Sequence, residues 1–154
     1  MRITERTHST DETESLGKLL AKLLEDNKIS SAFIAMRGEM GVGKTAFTRG
    51  FAEHFGIVGV KSPTYTVLNE HKGRVAIHHF DFYRISDADE LATVGYDEII
   101  EGDGYTLGEW SENIEDMLPD DIITVTISRV GFDLAQENER DIEINIPMLE
   151  DYLS

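Results

Sequence analysis

The sequence contains no cysteine, which excludes disulfides, thiolate metal sites and thiol catalysis. Its apolar runs all fall short of the roughly 18 residues that a membrane span requires, and its N-terminus has no apolar signal core. Proline occurs three times, and no Pro-rich or Ser-rich linker divides the chain. We therefore predict a cytoplasmic protein with no disulfide and no membrane contact, forming a single domain over residues 1–154.

Positive charge is also scarce. Lys and Arg number 14 against 30 Asp and Glu, which gives a formal net charge of -16. Nucleic-acid affinity arises largely from Lys and Arg contacts to phosphates, so an acidic surface opposes it. We expect any role in tRNA or DNA chemistry to pass through a protein partner.

The first half of the chain predicts the order helix, strand, helix. Leucines at helical spacing in "ETESLGKLLAKLLEDNK" predict an amphipathic helix, with capping residues Ser9, Thr10 and Asp11 before it. "SAFIAMR" predicts a short buried strand, and "KTAFTRGFAEHFG" predicts a helix that ends at Gly56. A glycine-rich loop joins this strand to the second helix.

The second half predicts further strands and short helices. "VLNEH" and "RVAIHHFDFYRI" flank the pair Lys72 and Gly73 and predict an antiparallel hairpin, and "YTLGEW" predicts a brief strand. "SDADELATVG" and "SENIEDML" predict short helical segments, and "DIITVTISRV" and "RDIEINI" alternate as a closing strand pair. The fold class is α/β with a mixed, largely parallel sheet and antiparallel strand pairs.

The loop "GEMGVGKT" carries the clearest chemical signal. Gly38, Gly43, Lys44 and Thr45 fill the pattern GxxxxGK followed by Ser or Thr, between a predicted strand and helix. Glycines let successive backbone N–H groups face one phosphate, and the helix N-terminus adds partial positive charge. Lys44 would reach the β- and γ-phosphates, and the Thr45 hydroxyl would be one magnesium ligand.

This pattern predicts a P-loop NTPase-like three-layer fold that binds ATP or ADP with Mg²⁺. The candidate nucleotide-binding residues of the loop are Glu39, Met40, Gly41, Val42, Gly43, Lys44, Thr45 and Ala46. The alternative is that the loop is only a glycine-rich connection.

Nucleotide turnover also needs a carboxylate near the metal and a group that orients the nucleophile. Asp81 ends "VAIHHFD" and Glu109 ends "YTLGE", so both are predicted at the carboxyl edge of the sheet, where ligands of α/β proteins bind. Position alone leaves open that both are solvated carboxylates. In an alternating strand His78 and His79 face opposite sides, and a structural histidine competes with a catalytic or metal-binding one. Trp110 could pack in the core or lie over the site.

The motifs "GEMGVGKT", "KSPTYT", "HHFDFYR" and "GEW" follow one another in a short acidic chain. This order resembles the TsaE family of small bacterial P-loop ATPases that serve tRNA threonylcarbamoyladenosine synthesis. The resemblance runs from about Thr10 to Trp110, with a weaker match in the C-terminal strands. It implies that Lys44 and the loop bind ATP, that Thr45 and Glu109 hold magnesium, and that Asp81 takes part in hydrolysis.

The resemblance also implies that "SPTYT", residues 62–66, senses the γ-phosphate, and that Trp110 lies beside the site. Thr10, Thr64 and Trp110 therefore join the nucleotide-binding candidates, with Arg140 as a further one in the C-terminal hairpin. The sequence departs from the family in "GEW", where an aliphatic residue commonly precedes the acid, and in "GEM", where Asp-Leu is usual. We expect Gly108 to loosen the strand that carries Glu109.

In the family, the partner pair TsaD and TsaB transfers threonylcarbamoyl to the adenosine beside the anticodon, and TsaE hydrolyses ATP to sustain repeated cycles. The resemblance therefore implies a weak, partner-dependent magnesium ATPase that meets tRNA only indirectly. Two alternatives remain open: a small-molecule kinase, or an ATP-gated assembly factor in which binding rather than hydrolysis matters. Kinase lids usually supply several arginines, and Arg74, Arg84, Arg129 and Arg140 form no lid-like cluster in the sequence.

Overall fold

A computed structural model describes residues 1–39, 42–60, 67–83, 85, 87–131 and 136–149. The strands within these residues are β1 (Arg2–Thr7), β2 (Ser31–Arg37), β3 (Leu68–Lys72), β4 (Ala76–Asp81), β5 (Gly104–Glu109), β6 (Ile123–Arg129) and β7 (Arg140–Asn145). The α-helices are α1 (Thr10–Asp26), α2 (Lys44–His54), α3 (Ala88–Thr93) and α4 (Tyr96–Glu101), and Ser111–Met117 forms a 3-10 helix.

All of these strands belong to one sheet with the order β1-β7-β6-β2-β5-β4-β3. The central pairs β6 with β2, β2 with β5 and β5 with β4 are parallel. The outer pairs β1 with β7, β7 with β6 and β4 with β3 are antiparallel. The predicted α/β class with a mixed sheet is confirmed, including both predicted hairpins. The parallel strands form the centre, and the antiparallel pairs form the edges.

Strand β1 was not predicted from the sequence. It pairs with β7 from Arg2 opposite Asn145 to Thr7 opposite Arg140. Four of its six residues are exposed and just one is fully buried, so the alternation that reveals a half-buried strand is missing. Cross-strand ion pairs support the pairing instead, with Arg2 at 2.9 Å from Glu143 and Arg6 at 2.8 Å from Asp141.

Two apolar clusters cover the two faces of the sheet and give three layers. One cluster joins α1 and α2 to the sheet through residues such as Leu20, Phe47 and Leu107. The other joins α3, α4 and the 3-10 helix to the opposite face through Leu91, Tyr96 and Ile114. The predicted aromatic face of α2 is confirmed: Phe47, Phe51 and the C-cap residue Phe55 are at most 1% exposed.

Helices α1 and α2 cross in unusually close contact at two glycines. A Cβ atom on Gly50 would lie 1.9 Å from the carbonyl oxygen of Glu14, and one on Gly17 would lie 2.1 Å from that of Phe47. Real Cβ atoms essentially never show contacts under 3.0 Å, so both positions require glycine. The crossing fixes α1 against the helix that follows the glycine-rich loop.

Candidate functional site

The glycine-rich loop leaves the carboxyl end of β2 and enters α2, as the sequence predicted. Gly38 has φ 146° and Gly43 has φ 120°, backbone conformations that residues other than glycine rarely adopt. A Cβ on Gly38 would also lie 2.5 Å from the carbonyl oxygen of Ile127 on β6. Gly43 is the N-cap of α2 and offers no capping side chain, so the first N–H groups of the helix remain available to an anion.

Lys44 points into the loop that precedes it. Its Nζ donates a hydrogen bond to the carbonyl oxygen of Gly38 at 2.9 Å and lies 3.7 Å from Oε1 of Glu109. The ring centroid of Trp110 lies 5.3 Å from the same nitrogen. Lys44 is 6% exposed, so the ammonium group sits in a partly dehydrated position where its attraction to negative charge is strong.

Strands β4 and β5 bring the two predicted carboxylates together. They pair in parallel with Asp81 opposite Glu109 and His79 opposite Leu107. Because residues two apart in a strand share a face, His79, Asp81 and Glu109 lie on the side of the sheet that Leu107 shares with α2. The predicted position of both acids at the carboxyl edge is confirmed, while their chemical roles stay predictions.

Glu109 is buried, with 8% of its surface exposed, and is surrounded by nitrogen donors. Its Oε2 lies 2.8 Å from Nε2 of His79, and His79 is completely buried. Burial alone would raise the pKa of Glu109, but the His79 hydrogen bond and the charges of His79 and Lys44 outweigh it and the net pKa is lowered. The carboxylate is therefore ionised near neutral pH and accepts the hydrogen bond that His79 Nε2 donates.

Asp81 is half-buried at the end of β4 and shapes the turn that follows. Its Oδ1 accepts a hydrogen bond from the backbone N–H of Tyr83 at 3.0 Å. Asn113 donates to the carbonyl oxygens of Phe82 and Tyr83 at 3.1 and 3.2 Å. Phe82 and Tyr83, which directly follow β4, are thus held by polar contacts beside the site.

Trp110 combines both arrangements that the sequence left open: it is half-buried against the second apolar cluster, and its ring also faces Lys44. It follows Glu109 directly and adopts the left-handed conformation, with φ 61°. Its ring contacts that of Tyr83, which is 58% exposed, at a centroid distance of 5.1 Å. The Trp110 ring thus contacts both Tyr83 and Lys44.

The expectation that Gly108 loosens β5 is wrong. Gly108 pairs with Ala35 of β2 on one side and Phe80 of β4 on the other, so the strand is continuous through it. A Cβ at this position would lie 2.6 Å from a ring carbon of Phe82 and 3.0 Å from one of Phe33. The glycine makes room for aromatic rings, and Glu109 is held by a well-paired strand.

Arg140, predicted to contact the nucleotide, binds backbone oxygens in this structure. Its Nε donates to the carbonyl of Val42 at 2.8 Å, and its Nη1 donates to those of Glu137 and Glu139 at 2.6 and 2.8 Å. Burial, aided by Arg129, lowers the pKa of Arg140. The guanidinium therefore connects β7 to the glycine-rich loop.

The remaining loop candidates surround the same region to different degrees. Glu39 and Thr10 are exposed, Thr45 is half-buried, and Val42 and Ala46 are buried. Thr10 begins α1, and the methyl group of Thr13, one turn later, lies 3.9 Å from a Cβ placed on Gly43. Met40, Gly41, Thr64 and the rest of residues 62–66 lie outside the described residues.

The sequence left the role of His79 open between a structural histidine and a catalytic or metal-binding one, and it did not reveal the contact with Glu109. The signal was present in the spacing: His79 lies two residues before Asp81, hence on the same face of the strand. What the sequence could not give was the neighbouring strand, since the pairing of β4 with β5 is a long-range contact.

The two predicted magnesium ligands suit this ion. The Thr45 hydroxyl and the Glu109 carboxylate are oxygen donors, which magnesium prefers. Among the described residues, no three His, Asp or Glu side chains form a group that could hold a metal ion by themselves. The metal would therefore take most of its ligands from water and from nucleotide phosphates.

None of the helices in the described residues combines the length and apolar character of a membrane span.

Comparison with known proteins places the chain in a family. The family model described as "Threonylcarbamoyl adenosine biosynthesis protein TsaE" matches residues 7–141. The tRNA threonylcarbamoyladenosine biosynthesis protein TsaE of Bacillus subtilis is 38% identical over 139 residues, which cover 89% of this chain and 81% of the relative. The Haemophilus influenzae protein of the same name is 39% identical over 115 residues, or 72% of each chain.

A solved structure agrees with these sequence matches. The crystal structure of Bacillus subtilis YdiB superposes with a TM-score of 0.74 at 30% identity, covering 95% of this chain and 86% of that one. The sheet, the glycine-rich loop and the predicted order of motifs are thus found in a chain whose similarity to the family extends over most of its length. The chain belongs to the TsaE family of threonylcarbamoyladenosine biosynthesis proteins.

Proposed function

We propose that this protein binds ATP with magnesium at the glycine-rich loop and hydrolyses it slowly to ADP and phosphate, in the service of tRNA threonylcarbamoyladenosine biosynthesis. One observation carries the proposal: Lys44 Nζ lies in the loop 2.9 Å from the Gly38 carbonyl and 3.7 Å from the Glu109 carboxylate. A cation and an ionised carboxylate thus meet where a triphosphate and its metal would bind.

Nucleotide binding would use the backbone of the loop together with one side chain. The N–H groups at the start of α2 face outward from Gly43, and the partial positive charge of the helix end favours phosphate oxygens. Lys44 would exchange its carbonyl contact for the β- and γ-phosphates. Thr10, Thr64 and Trp110 remain proposed nucleotide contacts, and Arg140 supports the loop through Val42.

The metal would be held by Thr45 and Glu109. When bound, magnesium neutralises the charge that develops between the β- and γ-phosphates. Glu109 suits this task because it is ionised and its Oε2 is already held by His79, which leaves Oε1 on the side of Lys44. Thr45 is the second residue of α2, so its hydroxyl belongs to the same helix turn as the N–H groups proposed to bind phosphate.

Asp81 is the proposed hydrolytic residue. It lies opposite Glu109 on the adjacent strand and is fixed by the turn to Tyr83, so its carboxylate is held at the edge of the metal site. A carboxylate there can orient a water molecule for attack on the γ-phosphate. The backbone of Asp81 is held on both sides, because it pairs with Glu109 of β5 and its N–H donates to the carbonyl oxygen of Val67 at 2.8 Å.

We propose that TsaD and TsaB are the partners, that tRNA is met only through them, and that the protein acts in the cytoplasm. The net charge of -16 supports this arrangement because it disfavours independent binding of tRNA.

The test compares wild type with Asp81→Asn and Lys44→Ala in three measurements: ADP binding, ATP hydrolysis, and repeated modification of tRNA by the TsaD and TsaB pair. Trp110 is the sole tryptophan of the chain, so its fluorescence reports binding directly. We expect Asp81→Asn to keep binding and lose hydrolysis and repeated modification, and Lys44→Ala to lose all three.

Asp81→Asn changes one oxygen to nitrogen, so it is the better-matched variant. Full support of repeated modification by a variant that binds ATP without hydrolysing it would refute the turnover role and leave an ATP-gated assembly factor. Phosphate appearing on a small metabolite rather than free in solution would instead identify a kinase.

A further inference from the structure

His79 is joined to Glu109 in a way that separates it from an ordinary core histidine. Its ring is completely buried, and Nε2 donates to Oε2 of Glu109 at 2.8 Å. The other ring nitrogen, Nδ1, has no hydrogen-bond partner in the described part of the chain. The hydrogen bond to Glu109 is therefore the side-chain contact that holds this ring among the described residues.

The two side chains come from adjacent strands whose alignment is fixed. β4 and β5 pair in parallel over Ile77 to Asp81, with hydrogen bonds along the whole stretch. The backbone of His79 is therefore fixed beside that of Glu109, and its completely buried ring has little room to turn. Glu109, in contrast, has three side-chain torsions and a nearby cation, Lys44, that attracts either oxygen.

The two carboxylate oxygens of Glu109 have different neighbours. Oε2 is taken by His79, and Oε1 lies toward Lys44 at 3.7 Å, on the side of the glycine-rich loop. Without His79 the carboxylate would be free to turn and pair more closely with Lys44, because that is the nearby cation among the described contacts. A carboxylate paired in this way is a poor ligand for a metal ion.

We propose that His79 is a positioning residue that orients the Glu109 carboxylate so that Oε1 remains available to magnesium. The inference rests on the proposed function, in which Glu109 is a magnesium ligand. Groups that hydrogen-bond a metal ligand typically change metal affinity 10-fold to 100-fold when they are removed.

The experiment measures how ADP binding depends on magnesium in the full-length protein. Calorimetric titration of ADP in EDTA gives the metal-free affinity, and titration of MgCl₂ into the protein with ADP gives the apparent magnesium affinity. The variants are His79→Leu, His79→Asn and His79→Gln. The glutamine amide nitrogen lies about as far from Cα as Nε2 of histidine does, whereas the asparagine amide is one bond shorter and falls short of Glu109.

We expect His79→Leu and His79→Asn to weaken the apparent magnesium affinity by about tenfold or more, and His79→Gln to weaken it by less than about threefold. All three should keep the metal-free ADP affinity within about twofold of wild type. A purely structural histidine would give no such difference between asparagine and glutamine. If His79→Leu does not fold, the asparagine and glutamine variants carry the comparison.

The inference would be overturned if His79→Asn bound magnesium with the affinity of wild type. It would also be overturned if the asparagine and glutamine variants lost magnesium affinity equally. Glu109→Gln separates this failure from that of the proposed function. If Glu109→Gln weakens magnesium binding and the His79 variants do not, the positioning role alone is wrong. If Glu109→Gln leaves magnesium binding unchanged, Glu109 is not a ligand, and both the metal assignment and the inference fall.

Discussion

Replacing Gly50 by alanine should separate α1 from α2 and weaken the nucleotide site from a distance. The added Cβ would lie 1.9 Å from the carbonyl oxygen of Glu14, whereas ordinary contacts begin at 3.4 Å. The helices must therefore move apart by roughly 1.5 Å, because the obstructing atom belongs to the backbone and cannot rotate away.

The magnitude follows from two opposing effects. Overpacking of a well-packed core costs about 1 to 3 kcal/mol, and a forced backbone shift lies at the upper end of that range. Alanine in a helix interior is intrinsically better than glycine by about 1 kcal/mol, which offsets part of the cost. The net loss in unfolding free energy should be about 2 kcal/mol. For a chain of this size that lowers Tm by about 4 to 8 °C.

The assay is thermal and urea unfolding without nucleotide, followed by ADP titration. Gly102→Ala is the matched control, because it makes the same chemical change where φ is −87° and the nearest atom to the new Cβ is 3.2 Å away. ADP affinity should fall in Gly50→Ala as well, since α2 carries Lys44 and Thr45. A Tm for Gly50→Ala equal to that of the control would refute the reasoning.

Three further outcomes are expected. Lys44→Ala should weaken ADP binding by about tenfold or more in calorimetry, because it removes a charge-assisted hydrogen bond to phosphate; unchanged affinity would contradict its role. Arg140→Lys should lower the unfolding free energy by about 1 kcal/mol in urea, because a lysine cannot reproduce the bonds from Nε and Nη1 to Val42 and the neighbouring carbonyls. Tyr96 is buried, which raises its pKa to about 12, and its hydroxyl donates to Met117. The stability it contributes is fully present below pH 10 and should be lost, by about 2 kcal/mol, as the pH rises toward 12, while Tyr96→Phe should show a shallower decline in alkaline urea unfolding.

The parts of the site that lie close together in sequence could be predicted. The strand, the glycine-rich loop and α2 form one continuous segment, so the spacing of Gly38, Gly43 and Lys44 was enough to predict where the proposed phosphate site would lie. The positions of Asp81 and Glu109 at strand ends followed from alternation in their own strands.

Features that depend on long-range contacts could not be predicted. The hydrogen bond between His79 and Glu109 requires that β4 lie beside β5, and no local pattern states that order. Strand β1 escaped notice because an exposed edge strand held by ion pairs lacks apolar alternation. Gly17 and Gly50 did carry a signal, since isolated glycines inside helical patterns often mark close packing. Their partner helix was still unknown.

The distribution of charge over the three layers bears on the proposal that tRNA is met only through partner proteins. Residues 87–103 and 111–121, which flank β5, contain twelve Asp and Glu and neither Lys nor Arg. Leu91, Tyr96 and Ile114 fix these two segments to the face of the sheet opposite α1 and α2. Several of the cations on the other side are paired: Arg49 with Glu14, Lys18 with Glu53, and Lys22 with Asp26. One layer therefore repels a polyanion outright, and ion pairs already occupy much of the positive charge elsewhere. Lys44 is buried at the glycine-rich loop. Because the acidic layer adds no positive surface beside it, this lysine suits the compact phosphates of a nucleotide better than an extended nucleic-acid backbone.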